Sequence, residues 1–75
     1  MPFSRADKEK LLKHIGSRIT LHRSIKGYTI EELAIKCDLE YQQLLEIEVG
    51  KIDVRILNLL KITNNLDIEL SNLLP

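Results

Sequence analysis

Histidine, cysteine and paired opposite charges are the side chains of this chain with the most chemistry to offer, and their spacing restricts what they can do. His14 and His22 stand eight residues apart rather than four, so they do not form a helical metal pair. Cys37 is the sole cysteine; it has no partner for an internal disulfide and no second thiolate for a metal site. No Cys–His or Ser–His–Asp arrangement is legible, and no glycine-rich phosphate loop is present. The expectation is a protein that is not an enzyme, with no catalytic residues, no metal and no cofactor. Arg23 and Glu48 are a different case. Each falls on or beside an apolar helical face, where a charge is costly unless paired. Opposite signs at two such positions predict one structural ion pair between the helices that carry them.

Those helices follow from punctuation and periodicity. Leu12, Ile15, Ile19 and His22 recur at three and four residues, which predicts a first helix from about Ser4 to Lys26. Asp7 and Glu9 near its start and Arg23 and Lys26 near its end suit the macrodipole, and Gly27 is a natural stop. Thr29 with Glu32 forms a capping box ahead of Leu33-Ala34 and opens a short second helix. That helix ends near Cys37-Asp38, where Asp tolerates a positive φ. A third helix is expected from about Glu40 to Val49, with Leu44, Ile47 and Glu48 inward and Gly50 just past its end. A fourth runs from about Val54 to Asn65, with Asp53 as a candidate cap, and Glu69 to Leu74 reads as a terminal turn of helix.

Seventy-five residues make one domain. So short a chain buries roughly 60% of the surface its unfolded form exposes, which leaves little room for a catalytic cleft. Leu and Ile dominate the apolar residues while Val and aromatics are few, a mix that favours helices over sheet. No apolar run approaches membrane-spanning length, and a lone cysteine fits a reducing cytoplasm, so no membrane partner is expected. Net charge is zero but unevenly spread. Residues 1–27 carry seven basic and two acidic side chains, whereas residues 28–53 carry two basic and seven acidic.

The second and third helices, joined at about Asp38-Leu39-Glu40, have the lengths of a helix-turn-helix. From Ile15 to Leu74 the chain resembles the XRE family of phage-repressor-like DNA-binding domains. The resemblance is carried by Ile15-Gly16 and Ile19, by Arg23 before a glycine turn, and by Thr29, Glu32, Leu33 and Ala34. It continues through Ile47-Glu48-Val49-Gly50-Lys51, Leu59-Leu60-Lys61-Ile62 and Leu66-Asp67-Ile68. It implies a single all-α domain over residues 1–75, a compact five-helix, lambda-repressor-like bundle with its helix-turn-helix at about 29–50. It implies the same Arg23–Glu48 pairing. It also implies that the third helix enters the major groove of double-stranded DNA with Tyr41, Gln42 and Gln43 in its first turn and Leu45 one turn on. Glutamine suits that role because it can pair in bidentate fashion with adenine. Thr29 and Lys51 stand where the family meets phosphates.

The chain departs from the family at several of these positions. Ile30 stands where Gln is usual, Glu40 where a Ser or Thr cap is usual, and Leu45 where Ser is common. Glu46, Val49 and Ile52 replace frequent basic or polar residues. Residues 38–53 hold five acidic side chains and one basic one, Lys51. Since Lys and Arg supply most non-specific DNA affinity, this charge predicts binding that is weak or narrowly specific. Two readings follow. The first is a transcriptional regulator, free-standing or antitoxin-like. The alternative is a helix-turn-helix fold turned to binding a protein partner, with Leu45, Val49 and Ile52 as an apolar patch. Leu66, Ile68, Leu70, Leu73 and Leu74 crowd the last ten residues and are the expected interface of a homodimer.

Overall fold

A computed structural model describes residues 2–75. Four α-helices, α1 (Arg5–Lys26), α2 (Ile30–Lys36), α3 (Tyr41–Glu48) and α4 (Ile56–Leu66), precede a short 3-10 helix (Leu70–Leu73). No strand occurs among the described residues. The chain is thus all-helical, with four α-helices and a 3-10 turn where five helices were expected. No helix among the described residues is long and apolar enough to cross a membrane.

Local chemistry accounts for where α1 and α2 start. Ser4 caps α1: its hydroxyl accepts from the Asp7 amide, and the Asp7 carboxylate accepts from the Ser4 amide. Thr29 and Glu32 repeat the device at α2. At both sites these bonds to the charged form hold the carboxylate, Asp7 or Glu32, below its ordinary pKa. Asp53 does not cap α4. That helix begins after Arg55, with no side-chain cap, and Asp53 instead faces Lys8.

All four α-helices end the same way. Gly27, Asp38, Gly50 and Asp67 adopt positive φ. The following amide then reaches back five residues: Tyr28 to the Arg23 carbonyl, Leu39 to Ala34, Lys51 to Glu46 and Ile68 to Thr63. This is the left-handed stop that satisfies the last carbonyls of a helix. Glycine or aspartate supplies each turn because both enter that region at modest cost.

The elements close around one core. Ile15 and Ile19 of α1 meet Leu33, Ala34 and Cys37 of α2, Leu44 and Ile47 of α3, Leu59, Ile62 and Leu66 of α4, and Leu73. Burial of this kind is the main favourable term in folding. It also corrects the expected dimer interface. Leu66 and Leu73 are 1% and 0% exposed, so they belong to the protomer's own core and are unavailable to a partner. Ile68 and Leu70 pack half-buried against that core, and Leu74 is exposed. On α4 the apolar side chains Ile56, Leu57 and Leu60 are left outside, as are Leu21 and Ile25 of α1 and Ile35 of α2. Polar ties join α1 to the C-terminal part of the chain, since Arg18 Nε donates to the Asn72 carbonyl at 3.0 Å and Lys26 pairs with Asp67.

Candidate nucleic-acid interface

The attitude of α3 is set by its contacts with α1. Arg23 Nε donates to Glu48 Oε2 at 2.8 Å and Nη2 donates to Oε1 at 3.0 Å. Two parallel charge-assisted bonds of this kind impose an angle as well as a distance. The Thr20 hydroxyl adds a third bond to Glu48 Oε1 at 2.8 Å, and Arg23 Nη1 donates to the Tyr28 carbonyl at 2.9 Å. One guanidinium therefore joins the last turn of α1 to the last turn of α3 and to the loop before α2. Thr20 and Tyr28 were not singled out from the sequence. Thr20 precedes Arg23 by three residues, so both lie on one face of α1, and that spacing was the available signal.

Glycine lets the backbones approach at the same junction. A Cβ on Gly16 would lie 2.3 Å from the Glu48 carbonyl oxygen and 2.6 Å from that of Ile47. Only a residue without a side chain fits there. Ala34, buried on α2, serves where that helix crosses the core.

With its rear face held this way, α3 turns its first turn outward. Tyr41 and Gln42 are exposed, while Gln43 and Leu45 are half-buried. Their neighbours Leu44, Ile47 and Glu48 are buried. Thr29 caps α2 through its hydroxyl oxygen, which accepts from the Glu32 amide. Lys51 is exposed just beyond α3, with Nζ 3.6 Å from Glu46 Oε2. Val49 is exposed as well.

Three of the five acids in residues 38–53 face a cation, two of them from α1 and one from within the stretch. Glu48 is held by Arg23, Glu46 by Lys51, and Asp53 by Lys8 at 3.4 Å. Asp38 and Glu40, in the turn between α2 and α3, have no ion-pair partner among the described residues. Nearby, Lys36 sits over the Tyr28 ring, 5.0 Å from its centroid, a cation–π contact beside the start of α2.

Residues with catalytic potential do not converge. Among the described residues no group of His, Cys, Asp and Glu is placed to hold a metal ion. His22 lies 3.4 Å from Arg18 on α1. Cys37 is buried, with its thiol near the Lys61 carbonyl, and burial pushes its pKa up. A thiol so placed is a packing group rather than a nucleophile.

No family model matches the chain, and no curated protein matches it. Solved structures do. The restriction-modification controller protein C.AhdI from Aeromonas hydrophila is 34% identical with a TM-score of 0.80, the match covering 83% of this chain and 94% of that one. The clp gene regulator ClgR from Corynebacterium glutamicum is 25% identical with a TM-score of 0.81, over 84% and 67% of the two chains. The hypothetical transcription factor NHTF from Neisseria is 25% identical with a TM-score of 0.84, over 100% and 86%. The three are described as a controller protein, a gene regulator and a hypothetical transcription factor, and none as an enzyme. The identity to C.AhdI, over nearly the whole length of that protein, places this chain in the XRE family of helix-turn-helix regulators.

Proposed function

We propose that the protein is a sequence-specific DNA-binding transcriptional regulator that lays α3 in the major groove. The observation that carries this reading is the outward first turn of α3, Tyr41 and Gln42 with Gln43 beside them, on a helix whose opposite face is locked to α1. A base-reading helix must present a few side chains in a fixed frame, and a glutamine there can take adenine through its amide. Thr29 and Lys51 flank this turn as phosphate contacts. The similarity to a restriction-modification controller and to a clp gene regulator supports control of transcription as the biological role.

The regulator acts as a homodimer. The apolar side chains Leu57, Leu60, Ile68 and Leu70 line one open groove, with Ile56 and Leu74 also unburied. Paired about a two-fold axis, this face would cover its own apolar surface and present two copies of α3. A spacing of about 34 Å between them would match one turn of DNA.

Binding to the gene's own upstream region, compared with random duplex of equal length, tests the reading. Upstream preference that is lost in Tyr41→Ala or Gln42→Ala is the expected result. A second reading, docking of a protein on the same surface, is favoured by half-buried Leu45 on α3, exposed Val49 at its end, and Asp38 and Glu40 ahead of its start, which have no ion-pair partner among the described residues. It also accommodates an antitoxin-like role. It predicts no binding to any duplex, and a co-purifying protein that is released by Leu45→Lys or Val49→Lys.

A further inference from the structure

The basic N-terminal stretch of the chain is separated from Lys51 by more than thirty-five residues in sequence, yet the fold brings the two together. α1 runs directly behind the turn that ends α3. A Cβ on Gly50 would lie 2.7 Å from the Cα of Lys13, so the two backbones are in contact there. One turn and a half earlier on α1, Lys8 pairs with Asp53 at 3.4 Å. Arg5, Lys8, Gly50, Lys51 and Asp53 line a single cleft together with Glu9 and Leu12. Arg5 and Lys8, three residues apart, share a face of α1.

We infer that Arg5 and Lys8 form, with Lys51, a second phosphate-binding edge that grips the duplex backbone beside the groove occupied by α3. This rests on the DNA-binding reading and adds to it the source of the electrostatic grip that α2 and α3 themselves lack. The cations are free to change partners. Lys8 and Lys51 are 52% and 70% exposed and the oxygens they face are 3.4 and 3.6 Å away, so these are solvated surface pairs of little strength. Asp53 keeps Lys8 folded toward the α3–α4 turn and competes with phosphate for it. Glu9 and Glu46 are the other acids at this edge, and they limit its net charge to a contact with a few phosphates rather than a general affinity for polyanions. Lys10 provides an internal contrast. It belongs to the same basic stretch but lines a different groove, with Phe3, Leu11 and His14.

The measurement is the dependence of duplex affinity on salt, on the upstream fragment, with helicity of each variant checked by circular dichroism. Each phosphate neutralised contributes about 0.9 to the slope of log K against log salt. Arg5→Gln with Lys8→Gln should make the slope shallower by about 1.8, whereas Lys10→Gln leaves it unchanged. Asp53→Asn should tighten binding. An unchanged slope in the double variant, with wild-type binding and Gln42-dependent sequence preference intact, overturns this inference and leaves the groove reading standing. A slope change for Lys10→Gln equal to that for Arg5→Gln or Lys8→Gln made singly would reduce the effect to net charge and overturn it as well. Failure of the wild-type protein to bind any duplex overturns both.

Discussion

Arg23 and Glu48 face each other across α1 and α3 with their side chains 15% and 4% exposed, so a full ion pair is enclosed within a domain of 75 residues. Every oxygen of the carboxylate is occupied: Oε2 by Arg23 Nε, and Oε1 by Arg23 Nη2 and the Thr20 hydroxyl. A buried pair satisfied on this scale is tolerated, but losing one member strands the other. Glu48→Gln or Arg23→Met should therefore cost about 3–5 kcal/mol, most of what a marginal domain has to lose. Urea titration is the check, and an unchanged midpoint would show the pair to be dispensable. Replacing Arg23 and Glu48 together by apolar residues should cost much less than either single change.

Gly16 and Gly27 separate two kinds of glycine requirement. At Gly16 an added methyl would meet backbone carbonyls of α3 that cannot rotate away. Gly16→Ala should cost about 3 kcal/mol, the upper end for overpacking, and should push α3 off α1. At Gly27 an added methyl meets nothing, and only the φ of 76° resists it. Gly27→Ala should cost about 1–2 kcal/mol. Because only the first change disturbs the attitude of α3, it should also impair DNA binding in the fraction that remains folded, while the second should not.

The leucines near the C-terminus should divide into two classes. Leu73 is fully buried and Leu57 is 68% exposed. Leu73→Ala should destabilise the protomer by about 2–5 kcal/mol. Leu57→Lys and Leu60→Lys should leave the melting temperature of the protomer nearly unchanged and convert a dimer to a monomer in sedimentation. If the wild-type protein sediments as a monomer at high micromolar concentration, the homodimer and a palindromic operator fall together.

Acid should weaken the fold through its helix starts. Asp7 and Glu32 are held below their ordinary pKa by the amides and hydroxyls of Ser4 and Thr29, and Asp67 is lowered by Lys26. A carboxylate whose folded pKa is depressed contributes stability above its unfolded value and loses it as pH falls through the folded one. Melting temperature should hold steady from neutral pH to about pH 4 and decline below it. Asp7→Asn and Glu32→Gln should lower the plateau and flatten that decline. Lys26 shifts upward on Asp67, so its contribution is present below its unfolded value and is lost only in strong alkali.

Much of the fold is legible in the sequence because its boundaries are written in local chemistry. A capping box needs only Thr29 and Glu32 at the right spacing, and a left-handed stop needs only a Gly27 or an Asp38 where periodicity ends. Arg23 and Glu48 could be paired from the sequence because a charge on an apolar face has few ways to be satisfied. The outward turn of α3 follows from Leu44, Ile47 and Glu48 facing in. What remained hidden depends on contacts between distant segments. α4 is apolar on much of its circumference, with Ile56, Leu57, Leu59, Leu60 and Ile62 close together, so periodicity could not say which leucines the core would take. Only packing against α1 and the 3-10 helix decided that Leu66 and Leu73 lie inside and that Leu57 and Leu60 lie outside. Asp53 reads locally as a cap, yet it was claimed by Lys8 from the other end of the chain. The charge imbalance between the two halves was visible as a count. Its meaning was decided by the third dimension, since electrostatic energy depends on distance through space and not along the chain, and α1 carries its cations to the acidic end of α3.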